Sequence, residues 1–250
     1  MFNHESFKTT APARSSENKS RKQKPLAQNQ LLGGGERVKP KRIILVRHGE
    51  SIANADAAVR KIIPDYKMNL TEIGKEQAET AGEEIAKLIG DESITAYVSP
   101  YYRTRQTYEG IKSKLKDNKV LKLEDPRIRE QDWGHLRHPD EAEETDRARD
   151  NFGVFYYRIE DGESVADVFD RVSTFLETMH RDFAKEEFGE NCLIVTHGMT
   201  LRVFLMRWLH WKVEEFEAVA NPRNCQVVVL ARKDNGKYEL ESELAKRNST

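Results

Sequence analysis

Only two cysteines, Cys192 and Cys225, occur in 250 residues. That excludes a disulfide-stapled framework, and no Cys-x-x-Cys or Cys/His spacing of a structural zinc site is present. Both cysteines lie in apolar, strand-like runs and read as small core residues of a reducing compartment. No stretch approaches the roughly 20 apolar residues of a membrane span. The first 40 positions lack the apolar core of a secretory signal, and their scattered acidic residues fit a transit peptide poorly. An excess of one charge is missing too. Lys and Arg number 41 against 42 Asp and Glu, a formal net charge of −1, so the whole molecule is not expected to bind specific nucleic acid. With 38% hydrophobic and 33% charged residues, the composition suits a soluble globular protein with a polar segment attached. The expected location is the cytoplasm, with the nucleus as the alternative.

Residues 1–40 are that polar segment. They are rich in Ser, Asn, Gln and Lys, run through Gly33-Gly34-Gly35 and have few large apolar side chains. Such a segment cannot bury enough surface to offset its conformational entropy, so a disordered tail is expected. It carries eight basic against three acidic residues, which makes the tail basic and the remainder acidic. A solvated tail is the plain reading. Contact with nucleic acid or a membrane surface is the alternative, and its partner is unknown. Residues 41–245 are expected to form a single domain.

Within that region, apolar strand-like runs alternate with helical periods. Arg42 to Val46, Ala96 to Val98, Val120 to Glu124, Asn191 to Thr196 and Gln226 to Leu230 read as strands, with Tyr238 to Leu240 as an edge strand. Between them, Thr71 opens a helix carrying Ile73, Ala78, Ala81, Ile85, Leu88 and Ile89, and Gly90 stops it. Residues 139–150 form a charged helix. Ser164 with Asp167 resembles a capping pair before Val165, Val168, Phe169, Val172, Phe175, Leu176 and Met179. Thr200 to Leu209 is the next helix. The aromatic run Phe152 to Tyr157 reads as core packing or the packing of a lid. Ile52 to Lys67 has no clean period and turns at Pro64-Asp65. Alternating strands and helices predict an α/β fold, a three-layer sandwich with helices on both faces of a mostly parallel central sheet.

Two strands end alike, in Arg47-His48-Gly49 and in Thr196-His197-Gly198. Neighbouring parallel strands would bring His48 and His197 to one edge, where ligands bind in open α/β sheets. A lone histidine after a strand is usually an idle loop residue. Here Arg47 adds a rigid fork of donors, and Gly49 lets the backbone turn or approach a ligand closely. A second strand ends at Ser99, and Arg103 falls in the first turn of the helix after it, where free N–H groups already favour an anion. Two arginines repel a metal ion but suit a dianionic phosphate, so no metal is expected. Arg127 to Gly134 reads as a structured loop of arginines, carboxylates and Trp133. Loops of this kind often carry function on a rigid scaffold.

In these blocks the sequence resembles the histidine phosphatase superfamily, of phosphoglycerate mutase-like fold, in its small eukaryotic phosphatase subgroup. Arg47-His48-Gly49-Glu50-Ser51, Ser99 to Thr107, Glu130-x-x-x-Gly134, Gly162-Glu163-Ser164 and Thr196-His197-Gly198 follow the family's order over about residues 42 to 232. The resemblance implies that His48 attacks phosphorus as a neutral imidazole and carries the phosphoryl group. It implies that Arg47, Arg103 and His197 hold the phosphoryl oxygens, with the N–H of Gly198 as a further donor. Glu130 is implied as proton donor to the leaving oxygen and then as base for water. Ser51 and Asn54 are implied as binding phosphate or the rest of the substrate. Glu163 has two readings, a hydrogen bond near the pocket or a helix start, and Arg171 could join it. No cofactor is implied.

The implied activity is metal-independent hydrolysis of a phosphomonoester through a phosphohistidine. Mutase-type phosphoryl transfer is the first alternative. The short Ala53 to Ala58 stretch lacks the Arg and Trp expected of mutases, whereas the basic loop Arg127 to His138 keeps that alternative open. A phosphate-binding interaction module is the second, and the presence of all five central residues speaks against it. Small phosphorylated molecules are the expected substrates, with phosphoproteins and phospholipids as alternatives.

Overall fold

The computed structural model describes residues 39–115, 117–134 and 139–247. The expected tail lies outside these residues except for Lys39 and Pro40, as do positions 135–138 of the basic loop.

Six strands form one sheet in the order β3-β2-β4-β1-β5-β6. They are β1 (Arg42–Arg47), β2 (Ile94–Val98), β3 (Val120–Glu124), β4 (Asn191–Thr196), β5 (Val227–Arg232) and β6 (Tyr238–Leu240). The four strands β3, β2, β4 and β1 run parallel, while β5 turns back antiparallel to β1 and β6 antiparallel to β5. The sheet is therefore mostly parallel, as expected. The strand expected over Gln226 to Leu230 is β5, interior to the sheet but antiparallel to β1.

Side chains alternate along each buried strand and so feed two cores. Ile43 and Leu45 join Cys192, Ile194, Val228 and Leu230 beneath α5 (Val165–Asp182) and α6 (Gly198–Leu209). Ile44 and Val46 join Leu193, Val195, Ala96 and Val98 beneath α2 (Glu72–Ile89) and α3 (Tyr102–Ser113). This is the three-layer sandwich. Helix α5 starts as its sequence dictates: Ser164 Oγ accepts from the Asp167 amide, and Asp167 Oδ2 accepts from the Ser164 amide. Its buried residues include Val165, Val168, Val172, Phe175, Leu176 and Met179.

Some expectations are corrected. Ile73 is exposed, because it falls on the outer side of the first turn of α2. Of the run 152–157, Val154 and Phe155 enter the core, whereas Phe152 and Tyr156 face outward at 70% and 63% exposure. Helix α6 begins two residues early because His197 itself occupies the N-cap position. The stretch after the first signature holds a short helix, α1 (Ile52–Ala55), then two 3-10 turns, Ala57–Lys61 and Asp65–Lys67. Helices α4 (Pro139–Phe152) and α7 (Val213–Glu217) complete the described elements. The latter is five residues long, too short for its period to stand out in the sequence.

The first signature is seated by a backbone contact. A Cβ on Gly49 would stand 2.4 Å from the Gly74 carbonyl oxygen, and one on Gly74 would stand 2.1 Å from that of Glu50. Only two glycines let the loop after β1 lie on the first turn of α2. Thr71 strengthens the seat: its hydroxyl accepts from the Gly74 amide and donates to Glu50 Oε1. Gly74→Ala is therefore expected to cost about 1–3 kcal/mol through overpacking. Urea unfolding measures it, and an unshifted midpoint would show that the contact yields freely.

Candidate functional site

The site forms where β2, β4 and β1 end side by side. Pairing of β1 with β4 sets Arg47 opposite Thr196, so the next residues, His48 and His197, leave the sheet together. Their ring centroids are 5.2 Å apart in an edge-on arrangement. The His48 amide donates to the Thr196 carbonyl, which continues the ladder one residue past the strands.

Each imidazole is anchored by one nitrogen. His48 Nδ1 lies 2.7 Å from the carbonyl oxygen of Gly49. A carbonyl only accepts, so Nδ1 carries the proton and Nε2 keeps its lone pair. His197 Nε2 lies 2.8 Å from Ser99 Oγ. Strand order explains that partner, since β2 flanks β4 and Ser99 follows directly on β2. His197 Nδ1 is buried with no hydrogen-bond partner among the described residues. Both histidines are held well below the usual imidazole range, first by burial and then by the Arg103 charge. Both are therefore neutral at ordinary pH.

The arginines approach from two sides. Arg47 Nη1 donates to the Pro222 carbonyl at 2.7 Å, and its Nε is buried without a partner. Gly198, the first residue of α6, adjoins that Nε: a Cβ there would stand 3.5 Å from it. Arg103 enters from α3, with its guanidinium stacked 4.9 Å from the Tyr101 ring. Tyr101 in turn meets His197 at 5.0 Å, edge-on. Helix α3 also braces the first signature, because Thr107 Oγ1 accepts from the Gly49 amide and donates to the Arg103 carbonyl.

Glu130 adds a carboxyl within the field of Arg103 and Arg47. Loss of solvent around its carboxyl raises its pKa, against the lowering pull of Arg103 and Arg47. Its loop is clamped along its length. Thr196 Oγ1 donates to the Ile128 carbonyl and Thr200 Oγ1 to that of Arg129. Arg171 on α5 donates to the carbonyls of Arg127, Arg129 and Glu130 at 2.7, 2.9 and 3.1 Å.

The structure thus brings His48, His197, Arg47, Arg103, Glu130 and the N-terminal end of α6 at Gly198 to one place. Ser51 and Asn54 lie differently. Ser51 is buried, and its hydroxyl donates to Asn54 Oδ1 at 3.0 Å. Asn54 is exposed, and its oxygen also lies 3.4 Å from Asn224 Nδ2. Both act first on the turn at α1. Glu163 resolves in favour of neither reading alone. It pairs with Arg129 and, at 3.0 Å through both oxygens, with Arg171, and it accepts from the Asp132 amide. It holds the Glu130 loop rather than touching the histidines, and Arg171 joins it as expected.

The basic loop is corrected in part. Arg127 is taken up at every guanidinium nitrogen by Asp125, the Thr174 carbonyl and Thr178, while Arg129 pairs through Nη2 with Glu163; His135, Arg137 and His138 lie outside the described residues. Residues that sequence reading passed over are Ser99 as the His197 partner, Asp65 on Arg103, and Pro222 and Asn224, which hold Arg47 and the His48 carbonyl. Among the described residues, no three His, Cys, Asp or Glu side chains converge as a metal would require.

Glu163→Ala would strand Arg171, whose side chain is 11% exposed, without its anion. Breaking a buried pair costs about 3–5 kcal/mol, and the 35% exposure of Arg129 argues for the lower end, about 3. Urea unfolding should show that loss together with reduced activity. Unchanged stability would remove Glu163 as the loop's clamp.

Comparison with known proteins identifies the fold and family. The family model of the histidine phosphatase superfamily, branch 1, matches residues 43–243. Phosphoglycerate mutase-like protein AT74 of Arabidopsis thaliana is 44% identical over 214 residues, spanning 80% of this chain and 68% of its own length. The broad-range acid phosphatase DET1 of Saccharomyces cerevisiae is 28% identical, spanning 86% of this chain and 92% of its own length. Among solved structures, mycobacterial hydrolase 1 superposes with a TM-score of 0.65 at 20% identity, over 83% of this chain and 99% of its own. Mycobacterial glucosyl-3-phosphoglycerate phosphatase with VO3 does so with a TM-score of 0.61 at 20% identity, over 80% of this chain and 97% of its own. These two support the fold alone. The match over residues 43–243 and the 44% identity support the family, and the chain belongs to the histidine phosphatase superfamily, branch 1.

Proposed function

We propose that the chain is a metal-independent phosphatase that hydrolyses a small phosphomonoester through a phosphohistidine on His48. The observation that carries this reading is the buried, neutral His48 with Nδ1 fixed on the Gly49 carbonyl, beside His197 and two arginines. That tautomer leaves the Nε2 lone pair as the nucleophile.

In the first step Nε2 attacks phosphorus and the bond from phosphorus to the ester oxygen breaks. Glu130, protonated, gives its proton to that oxygen, and the alcohol leaves. Arg47 through Nε, Arg103, His197 through Nδ1–H and the Gly198 amide take the phosphoryl oxygens. Two of these donors, Arg47 Nε and His197 Nδ1, are buried and unpartnered. An unmet buried donor costs about 1–3 kcal/mol, so an anion that meets both recovers that cost. In the second step the Glu130 carboxylate takes a proton from water, the water oxygen attacks phosphorus, and the P–Nε2 bond breaks to release phosphate. Fixed guanidinium donors supply the charge stabilisation that a metal ion provides in other phosphoryl-transfer sites.

Hydrolysis is favoured over transfer by the pairing of Arg127 and Arg129 within the protein. A mutase needs a second anion subsite, and Arg127, with every guanidinium nitrogen bonded within the protein, does not supply one, while Arg129 already faces the Glu163 carboxylate. The acid phosphatase among the relatives supports the same reading.

The two protonation requirements set the pH dependence. His48 must be neutral, and its pKa is depressed, so kcat/KM falls only at pH well below 6.5. Glu130 must be protonated, and its pKa is raised above 4.5, so kcat/KM falls as pH rises through that raised value. A bell-shaped profile is expected with an aryl phosphate, its alkaline limb set by the raised Glu130 carboxyl. Glu130→Gln should lower kcat/KM by about 10²–10⁴-fold and remove the alkaline limb. His48→Ala should abolish turnover, and a chelator should leave the wild type unchanged. Equal hydrolysis by wild type and His48→Ala would sink the phosphohistidine route.

A further inference from the structure

The Arg103 guanidinium is 5% exposed, and its acceptors all belong to one residue. Nη1 donates to the Asp65 carbonyl at 2.7 Å and to Asp65 Oδ1 at 3.0 Å, and Nη2 donates to Oδ2 at 3.1 Å. Three of five donors are used, two at the end of the fork and the third on its Nη1 side. The Nε–H and the second Nη2 hydrogen have no acceptor among the described residues. Those two form the side edge of the guanidinium, which matches a phosphoryl group bidentately.

Asp65 is well placed to hold that orientation. It opens the 3-10 turn Asp65–Lys67 after Pro64, whose ring fixes its own φ at −58°. Its carbonyl also accepts from the amide of Met68, a buried residue. The side chain is half exposed at 51%, so the acceptor sits at the rim and the donor inside. Across the ring from Asp65, Tyr101 packs on the flat face of Arg103 and abuts His197. Carboxylate and ring together leave the guanidinium one free edge.

We propose that Asp65 is a positioning residue for the phosphoryl site, clamping the end of the Arg103 fork so that its Nε/Nη2 edge is presented to the phosphoryl oxygens. This rests on the reading of Arg103 as a phosphate ligand. A competing view makes Asp65 a stand-in for phosphate that must leave. The bond from Nη1 to the Asp65 backbone carbonyl argues against it, because departure would break a main-chain contact as well as the carboxylate pair. Of the charges near each histidine, that of Arg103 weighs most, so a rotated fork would be felt at both.

The test is a double-mutant cycle on the full chain. Asp65→Ala, Arg103→Ala and the double variant are titrated with inorganic vanadate by calorimetry and assayed with an aryl phosphate. Arg103→Lys provides a second background that keeps the charge and loses the fork. Asp65→Ala should weaken vanadate binding and lower kcat/KM by about 10- to 100-fold in the wild-type background. In either Arg103 background the same change should matter less than about twofold, since Asp65 acts only through that fork. Asp65→Asn, with one acceptor oxygen and no charge, should fall between. Vanadate binding that is equal or tighter in Asp65→Ala overturns the proposal in favour of the stand-in view. An equal loss in all backgrounds overturns it too, as a general structural role. Binding is read without turnover, so a His48→Ala variant that still hydrolyses the ester would refute the phosphohistidine route while the cycle still decides Asp65.

Discussion

The parallel pairing of β1 with β4 is the constraint on which the site depends. Its register runs from Arg42 opposite Asn191 to Arg47 opposite Thr196, and the histidines follow as the next residues on both strands. A slip of one residue would exchange the two faces of β1, sending Ile43 and Leu45 into the core that Ile44 and Val46 now fill. Each of these four side chains is fully buried, worth about 1.5–3 kcal/mol. Two unpartnered polar nitrogens in the site, Arg47 Nε and His197 Nδ1, cost about 1–3 kcal/mol apiece. Burial on one strand outweighs them. The sheet can therefore hold an unsatisfied arrangement at its edge without losing its register.

Charge is sorted around that edge by what each arginine can reach. Arg127, Arg129 and Arg171 meet carboxylates or carbonyls of the Glu130 loop and are consumed there. Among the described residues Arg47 donates only to the Pro222 carbonyl and makes no ion pair. Arg103 meets the Asp65 carboxylate by one edge alone. Positive charge thus remains where the histidines are, and burial keeps those histidines from adding to it. A neutral imidazole beside guanidinium groups is a better nucleophile than an imidazolium, which has no lone pair to give. The same fields that hold His48 neutral would attract the dianion of the proposed reaction.

Much of this was legible in the sequence because it is local. The boundaries of β3 and β4 follow from their apolar runs and flanking polar residues, and the cap of α5 follows from Ser164 and Asp167 three positions apart. The juxtaposition of His48 and His197 follows from two strands with the same ending and a parallel sheet. What the sequence hid is non-local. Nothing near Ser99 marks it as the partner of a histidine 98 positions away. Glu163 reads equally as a helix start until Arg129 and Arg171 are seen on it. The reversed β5 is invisible too, because an apolar run has no direction. Phe152 and Tyr156 were misleading for a further reason: aromatic content signals burial only on average, and here the turn after α4 directs Val154 and Phe155 inward and leaves Phe152 and Tyr156 outside.

The two walls of the site differ in stiffness, and that difference bears on selectivity. On one side, four backbone carbonyls from Arg127 to Glu130 are each held by a side chain of β4, α5 or α6. A proton donor that must reach a leaving oxygen, and later a water, within about 3 Å profits from such a fixed backbone. On the other side, the turns from Ala57 to Lys67 have no buried residues, and Ile62 is 84% exposed. They meet the site through the pair of Asp65 with Arg103. Chemistry and recognition are thereby separated. In the proposed reaction Glu130 would act on the ester oxygen that every phosphomonoester shares, leaving the exposed segment to meet the part that varies. Asp65 joins the two walls, since the residue that fixes the Arg103 fork belongs to the segment that a leaving group would touch.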